Sequence, residues 1–318
     1  MHTEVIRLYE GRDDVTLTAY VVSDSPEMTN GVKRPAVLIC PGGAYINCSD
    51  REGEPVALRF ASMGYHAFVL RYSTYTKGAF GFPDLSKEIL PNELCQHPKP
   101  MLDIGKAFLT IRQHAKEWLV DVDRIAVCGF SAGAHNCAMY STFWHTPIFA
   151  EVYGEKPEVF RPAAAILGYT LSDYLFMKET KGAMNAMDKM LFELSNTALL
   201  GTSNPSEEQL NAVSPALHVS KHNPPTFLWA TAADSLVPVQ HSIRMAHALA
   251  DQKVPFEIHV FEEGAHGLSI ATQASAGSKA QINADAAKWV GLADTWLLKR
   301  MELPLPEKTE FEESLEMA

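Results

Sequence analysis

Gly129-Phe130-Ser131-Ala132-Gly133 sets a hydroxyl between two glycines, each two residues away. A serine so flanked can occupy a tight strand-to-helix turn with its hydroxyl projecting from the top of a sheet. The glycines let neighbouring backbones approach where a Cβ would clash. The hydroxyl alone is a weak nucleophile. It needs a base to take its proton and a carboxylate to hold that base in one tautomer. On turns of this type the partners follow in the order serine, acid, histidine. His266, between Ala265 and Gly267 and five residues past an apolar strand, is the candidate base. Asp234, after the strand at 226–230, is the candidate acid. The competitors fit less well. His241 and His247 fall within a predicted helix, and His135 follows the pentapeptide too closely. Asp251 ends a helix, Asp285 and Asp294 lie inside one, and Glu262 and Glu263 read as solvated loop charges. His218 and His222 sit among prolines with no third ligand nearby, so no metal site is expected.

Acyl transfer also needs donors for the negative charge that builds on the former carbonyl oxygen, each worth about 3 kcal/mol. The N–H of Ala132 is one candidate. Pro41-Gly42-Gly43-Ala44-Tyr45 follows an apolar strand, and Gly43 and Ala44 are the expected second donors. Tyr45, Tyr169 and Leu236 are candidate walls of a substrate pocket, with ordinary aromatic packing the alternative for the two tyrosines. Arg51, Glu52 and Glu54 read as a solvated helix start, its acids favourably placed near the N-terminus. The methionines at 184, 187 and 190 read as core rather than site.

These groups must be carried by a sheet. Residues 4–9 and 15–22 read as an antiparallel pair. Short apolar runs at 36–40, 66–70, 124–128, 163–167, 225–230 and 255–261 read as strands buried on both faces. Helices are expected at 54–63, 101–119, 134–143, 238–250 and 281–298. The third-and-fourth spacing of apolar residues at 101, 104, 108, 111, 115 and 118 is the strongest of these signals. Residues 73–100 read as a long loop. Strand and helix alternate, which implies an α/β fold: a mostly parallel sheet with helices on both faces. The four chemical pieces then fall at C-terminal strand ends, where open α/β sheets bind ligands. Residues 1–303 read as a single domain. Within it, 170–214 is too long for a simple connection and reads as a small cap over the site. The glutamate-rich 304–318 reads as a tail extended over the surface or disordered.

The 318 residues suffice for a sizeable core, and the net charge of −11 leaves no basic stripe for nucleic acid. No apolar run is long enough for a membrane span. The first residues are neither a basic nor an apolar leader region, so a cytoplasmic location is expected. Five cysteines without a C-x-x-C pair suggest neither a disulfide framework nor zinc.

The stretches 41–45, 51–73, 123–135, 224–239 and 256–272 resemble the α/β-hydrolase superfamily, and more narrowly its acetylesterase and acetyl-xylan-esterase-like group, over about residues 15–300. The resemblance implies that Ser131, Asp234 and His266 form a triad, and that the 42–44 turn and Ala132 bind the oxyanion. It implies short-acyl, commonly acetyl, ester cleavage from sugars or simple alcohols, with no cofactor or metal. Three positions depart from the family pattern. Pro41 and Ala44 stand where a histidine and a third glycine are usual, and Ala44 fits if its φ is negative. Ala134 replaces a further glycine after the pentapeptide. A prolyl-oligopeptidase-like peptidase and a non-catalytic binding protein on the same scaffold are the rival readings. The oligomeric state, a homo-oligomer included, is left open.

Overall fold

The computed structural model describes residues 1–28, 31–79 and 81–316. The chain opens with β1 (His2–Tyr9) and β2 (Arg12–Val21), then β3 (Arg34–Cys40), α1 (Glu54–Ser62), β4 (His66–Arg71) and α2 (Lys99–Gln113). Next come β5 (Val120–Phe130), α3 (Ala132–Phe143), α4 (Pro147–Tyr153) and β6 (Ala164–Gly168). Three helices follow: α5 (Tyr174–Thr180), α6 (Ala186–Leu200) and α7 (Glu207–Ala212). The chain closes with β7 (Thr226–Thr231), α8 (Gln240–Asp251), β8 (Phe256–Phe261), α9 (Trp289–Met301) and α10 (Glu310–Glu316).

All strands join one sheet in the order β1-β2-β4-β3-β5-β6-β7-β8. β2 runs antiparallel to β1 and β4, and every other pairing is parallel. The expected α/β fold is therefore present. Strand β3 shows why its run is apolar throughout. Ala36, Leu38 and Cys40 pack into one core with α2, α3 and α8, while Val37 and Ile39 pack into a second with α1 and α9. Alternation within a strand feeds both layers. All five cysteines are buried and free. Among the described residues no helix is long and apolar enough to cross a membrane.

Several boundaries differ from expectation. Helix α2 stops at Gln113, not 119. Trp118 keeps the helical spacing but sits in a turn, packed on Phe68 with ring centroids 5.3 Å apart. Leu119 takes φ 54°, and its carbonyl accepts the N–H of Arg34, which feeds the chain into β5 at Val120. Helix α9 starts eight residues late. Asn283 Oδ1 accepts the N–H groups of Asp285 and Ala286, a local turn that competes with helix. Helix α4 was not foreseen. The segment 170–214 carries three helices, α5 to α7. Each has a side-chain cap: Asp173 accepts from Phe176 N–H, Asn185 from Asp188 N–H, and Ser206 forms a capping box with Gln209. The acidic tail holds α10, begun by a reciprocal pair between Thr309 and Glu312.

Candidate active site

Ser131 sits between β5 and α3 with φ 52° and ψ −121°, a backbone region costly for any side-chain-bearing residue. Its N–H is tied to the Gly168 carbonyl at 3.0 Å. The turn is tight enough to demand its glycines. A Cβ on Gly129 would lie 2.3 Å from the Gly133 carbonyl oxygen, and one on Gly133 would lie 2.0 Å from that of Cys40.

Asp234 and His266 arrive from the ends of β7 and β8. Asp234 Oδ1 accepts the N–H groups of Leu236 and Val237, both at 3.0 Å. It organises its own turn and does not cap α8. Its other oxygen lies 2.7 Å from His266 Nδ1, and His266 Nε2 lies 2.8 Å from Ser131 Oγ. Burial disfavours the charged imidazole, but the carboxylate of Asp234, helped by Glu52 and Asp188, outweighs it. The His266 pKa is raised above its ordinary 6.5. A hydroxyl in series with an imidazole and a carboxylate can give up its proton and attack an electrophilic carbon.

Gly43 and Ala44 line a cavity of about 200 Å³ together with Ser131, His266, Leu191 and Leu236. Their N–H groups have no acceptor within the chain among the described residues. Ala132 N–H is the first of α3, one of the donors a helix leaves unpaired. A smaller, mostly apolar space of about 40 Å³ also adjoins Ser131 and shares Ala44, Leu191 and Leu236 with the first. Leu171, Tyr174, Met177, Phe192 and Val237 wall it.

Leu236 lines both cavities, and Tyr45 and Tyr169 line neither. Tyr45 is buried and bonds through its hydroxyl to His135 Nδ1 at 2.5 Å. His135 Nε2 in turn donates to the Val213 carbonyl at 2.7 Å. Burial pushes the His135 pKa down to about 4, so this histidine is a neutral core group. Tyr169 lies beneath His266, edge to ring at 5.0 Å. Ala44 takes φ 54°, so the negative φ on which its fit was conditional is not met. Met187 is exposed and Met184 packs against the core edge, so the methionine stripe is neither a core layer nor a cavity wall. The α6 residues that reach the cavities are Leu191, Phe192 and Ser195.

The largest departure is Glu52. It is buried at 3% exposure, where a solvated helix start was expected. Its Oε2 accepts the Gly42 N–H at 2.7 Å, and its Oε1 accepts the Tyr169 O–H at 2.5 Å. Nothing in the local sequence separates it from Glu54, which is exposed. Only the fold that folds the 41–52 loop back on itself does so. Among the described residues no cluster of three or more histidine, cysteine or carboxylate groups could hold a metal.

A family described as BD-FAE matches residues 91–249. The chain is 33% identical over 260 residues to an endo-1,4-beta-xylanase B of Butyrivibrio fibrisolvens, covering 80% of this chain and 35% of that protein. It spans between about a third and a half of the length of the curated relatives it matches. Among solved structures, an alpha/beta hydrolase from a Medee basin deep-sea metagenome library is 32% identical. Their TM-score is 0.69, over 95% of this chain and 99% of that one. An acetyl ester-xyloside bifunctional hydrolase from Caldicellulosiruptor lactoaceticus is 28% identical with a TM-score of 0.70, over 94% and 97% of the two chains.

Proposed function

Because the chain belongs to the BD-FAE family and carries the α/β-hydrolase fold, we propose that it is a serine carboxylic-ester hydrolase that removes short acyl groups, acetyl foremost, from a sugar or small alcohol. The observation that carries this reading is the unbroken Ser131–His266–Asp234 chain of 2.8 and 2.7 Å. Ser131 Oγ adds to the ester carbonyl carbon while His266 Nε2 takes its proton. Asp234 holds the ring with Nδ1–H inward and stabilises the imidazolium. The resulting oxyanion is held by Ala132 N–H and by the N–H of Gly43 or Ala44. His266 then protonates the alcohol oxygen as the C–O bond breaks. Water repeats the sequence on the acyl-enzyme: it loses a proton to His266, adds to the acyl carbon, and expels Ser131, which takes the proton back.

The small apolar space beside Ser131 supports the acyl preference. At about 40 Å³ it exceeds what one water needs but leaves little room beyond two or three heavy atoms. The larger cavity on the Gly43 side suits the alcohol. Likeness to a protein named for xylanase activity and to one named for acetyl ester and xyloside hydrolysis favours a carbohydrate alcohol.

Two measurements test the reading together. A fluorophosphonate should label Ser131 covalently, and p-nitrophenyl acetate should be hydrolysed faster than the butyryl and octanoyl esters, beside release of acetate from acetylated xylo-oligosaccharides. A folded protein that neither labels nor hydrolyses any ester contradicts it.

A further inference from the structure

We propose that Glu52 is a positioning residue that sets the geometry of the oxyanion turn and couples it to the loop bearing His266. This rests on the ester-hydrolase reading above. A buried carboxylate is costly unless donors satisfy it. Glu52 has two, and they belong to different halves of the site. Gly42 N–H sits one residue before the Gly43 and Ala44 donors. Tyr169 O–H occupies the other oxygen, and the Tyr169 hydroxyl accepts the Ser269 N–H at 3.0 Å. Ser269 lies three residues past His266.

The neighbouring Arg51 doubles the link. Its Nη2 donates to the carbonyl of Gly267 at 3.0 Å and its Nε to that of Ser275 at 2.6 Å. Its own carbonyl accepts the Ser269 hydroxyl at 2.7 Å. One dipeptide therefore holds the oxyanion turn on one side and the histidine loop on the other.

Backbone strain marks the same nodes. Among the described residues nine non-glycine positions have positive φ, and Ala44, Tyr45, Tyr169, Ser269 and Ala271 are five of them, with Ser131 a sixth. Strained residues persist where surrounding contacts over-determine them. Tyr169, at φ 38°, is held by the bonds of its own hydroxyl and by its N–H to the Trp229 carbonyl at 2.7 Å. The pairing also fixes space. A Cβ on Gly42 would lie 2.7 Å from Glu52 Oε2, so the turn and the carboxylate are fitted to one another.

Holding the turn acts on the transition state, where the oxyanion forms, more than on the bound ester. Glu52→Ala is therefore expected to lower kcat on p-nitrophenyl acetate about 100-fold with KM changed less than threefold. Glu52→Gln keeps an acceptor for Gly42 N–H and should recover most of that loss. Tyr169→Phe should fall between them. Hydrogen exchange at the Gly42 amide supplies a readout independent of turnover. It should be protected in the parent and in Glu52→Gln, and exposed in Glu52→Ala. A Glu52→Ala protein that retains kcat within threefold, or that protects Gly42 as the parent does, overturns the proposal. So does a Glu52→Gln protein no better than Glu52→Ala. If Glu52→Ala does not fold, the comparison of Glu52→Gln and Tyr169→Phe carries the test through the same two readouts. A parent protein inert toward every ester would sink the hydrolase reading alone, and Gly42 exchange would still decide whether Glu52 holds the turn.

Discussion

Asp234 and His266 lie 32 residues apart in sequence, yet Oδ2 of one is 2.7 Å from Nδ1 of the other. The second oxygen of Asp234 is engaged by two backbone N–H groups of its own turn. Asparagine can present its carbonyl to those donors but must turn its amide toward the histidine, which then carries its proton on the wrong nitrogen. Asp234→Asn is expected to fold as the parent does and to lose about 10³- to 10⁴-fold in kcat on p-nitrophenyl acetate. The pH profile should move as well. In the parent, kcat/KM should rise with pH as His266 loses its proton, with a midpoint above 6.5. Without the carboxylate, burial dominates and the midpoint should drop. Asp251, exposed at the end of α8, should tolerate asparagine. Full activity in Asp234→Asn would remove this residue from the mechanism.

Acid should unfold the protein through its buried histidines. Burial holds the pKa values of His66, His97 and His135 near 4 and that of His241 near 3, against an ordinary 6.5. Between pH 6.5 and 4 the unfolded chain binds protons at these sites that the folded chain refuses. Stability is thus intact above 6.5 and falls as pH drops, by about 1.4 kcal/mol per pH unit for each withheld proton. The urea midpoint should be lower at pH 5 than at pH 7. His66→Gln should reduce the difference. An unchanged midpoint would mean these rings protonate freely in the folded state.

The strand-to-helix turn at Ser131 should be intolerant of any side chain at its flanks. In Gly133→Ala the new Cβ meets the backbone oxygens of Cys40 and Pro41 at 2.0 and 2.4 Å, and no flexible side chain can yield. A loss of about 3 kcal/mol or more, or failure to fold, is expected. The glycine turn at 42–44 should respond in the opposite sense. Ala44, at φ 54°, carries the strain a glycine avoids. Ala44→Gly should raise the unfolding free energy by about 0.5 kcal/mol, the relief being partly offset by a freer unfolded chain. Thermal unfolding of both variants checks the pair.

The parts of the site that could be read from sequence are those whose backbone chemistry is local. Gly129 and Gly133 announce their turn because only glycine fits it. Runs such as 36–40 announce buried strands because both of their faces are covered. Helices α5 to α7 carried legible caps at Asp173, Asn185 and Ser206, which the lack of an apolar period obscured. Glu52 was not legible at all. An acidic residue at a helix start is ordinarily solvated, and its burial depends on Gly42 ten residues earlier and Tyr169 more than a hundred later. Tyr45 and Tyr169 misled for a related reason. Ala44, just before Tyr45, lines both cavities and Leu171, two past Tyr169, lines the smaller, while both tyrosines sit at positive φ with their rings buried in the core.

Acyl length should be set by α6 rather than by the residues that do the chemistry. Phe192 and Leu191 are neighbours on this helix, and Phe192 walls the small space beside Ser131 while Leu191 faces both cavities. Truncating Phe192 lengthens that space without touching Ser131, His266 or Asp234. A hydrophobic pocket gains roughly 1 to 3 kcal/mol for each methylene it newly accommodates. Phe192→Ala should therefore raise the ratio of butyryl to acetyl kcat/KM on p-nitrophenyl esters by about tenfold or more. Acetyl turnover itself should fall only modestly, because the reacting groups stay in place. If the ratio does not move while acetyl activity persists, the acyl chain lies in the larger cavity on the Gly43 side. The alcohol would then occupy the smaller space, and the two halves of the proposed binding mode exchange places.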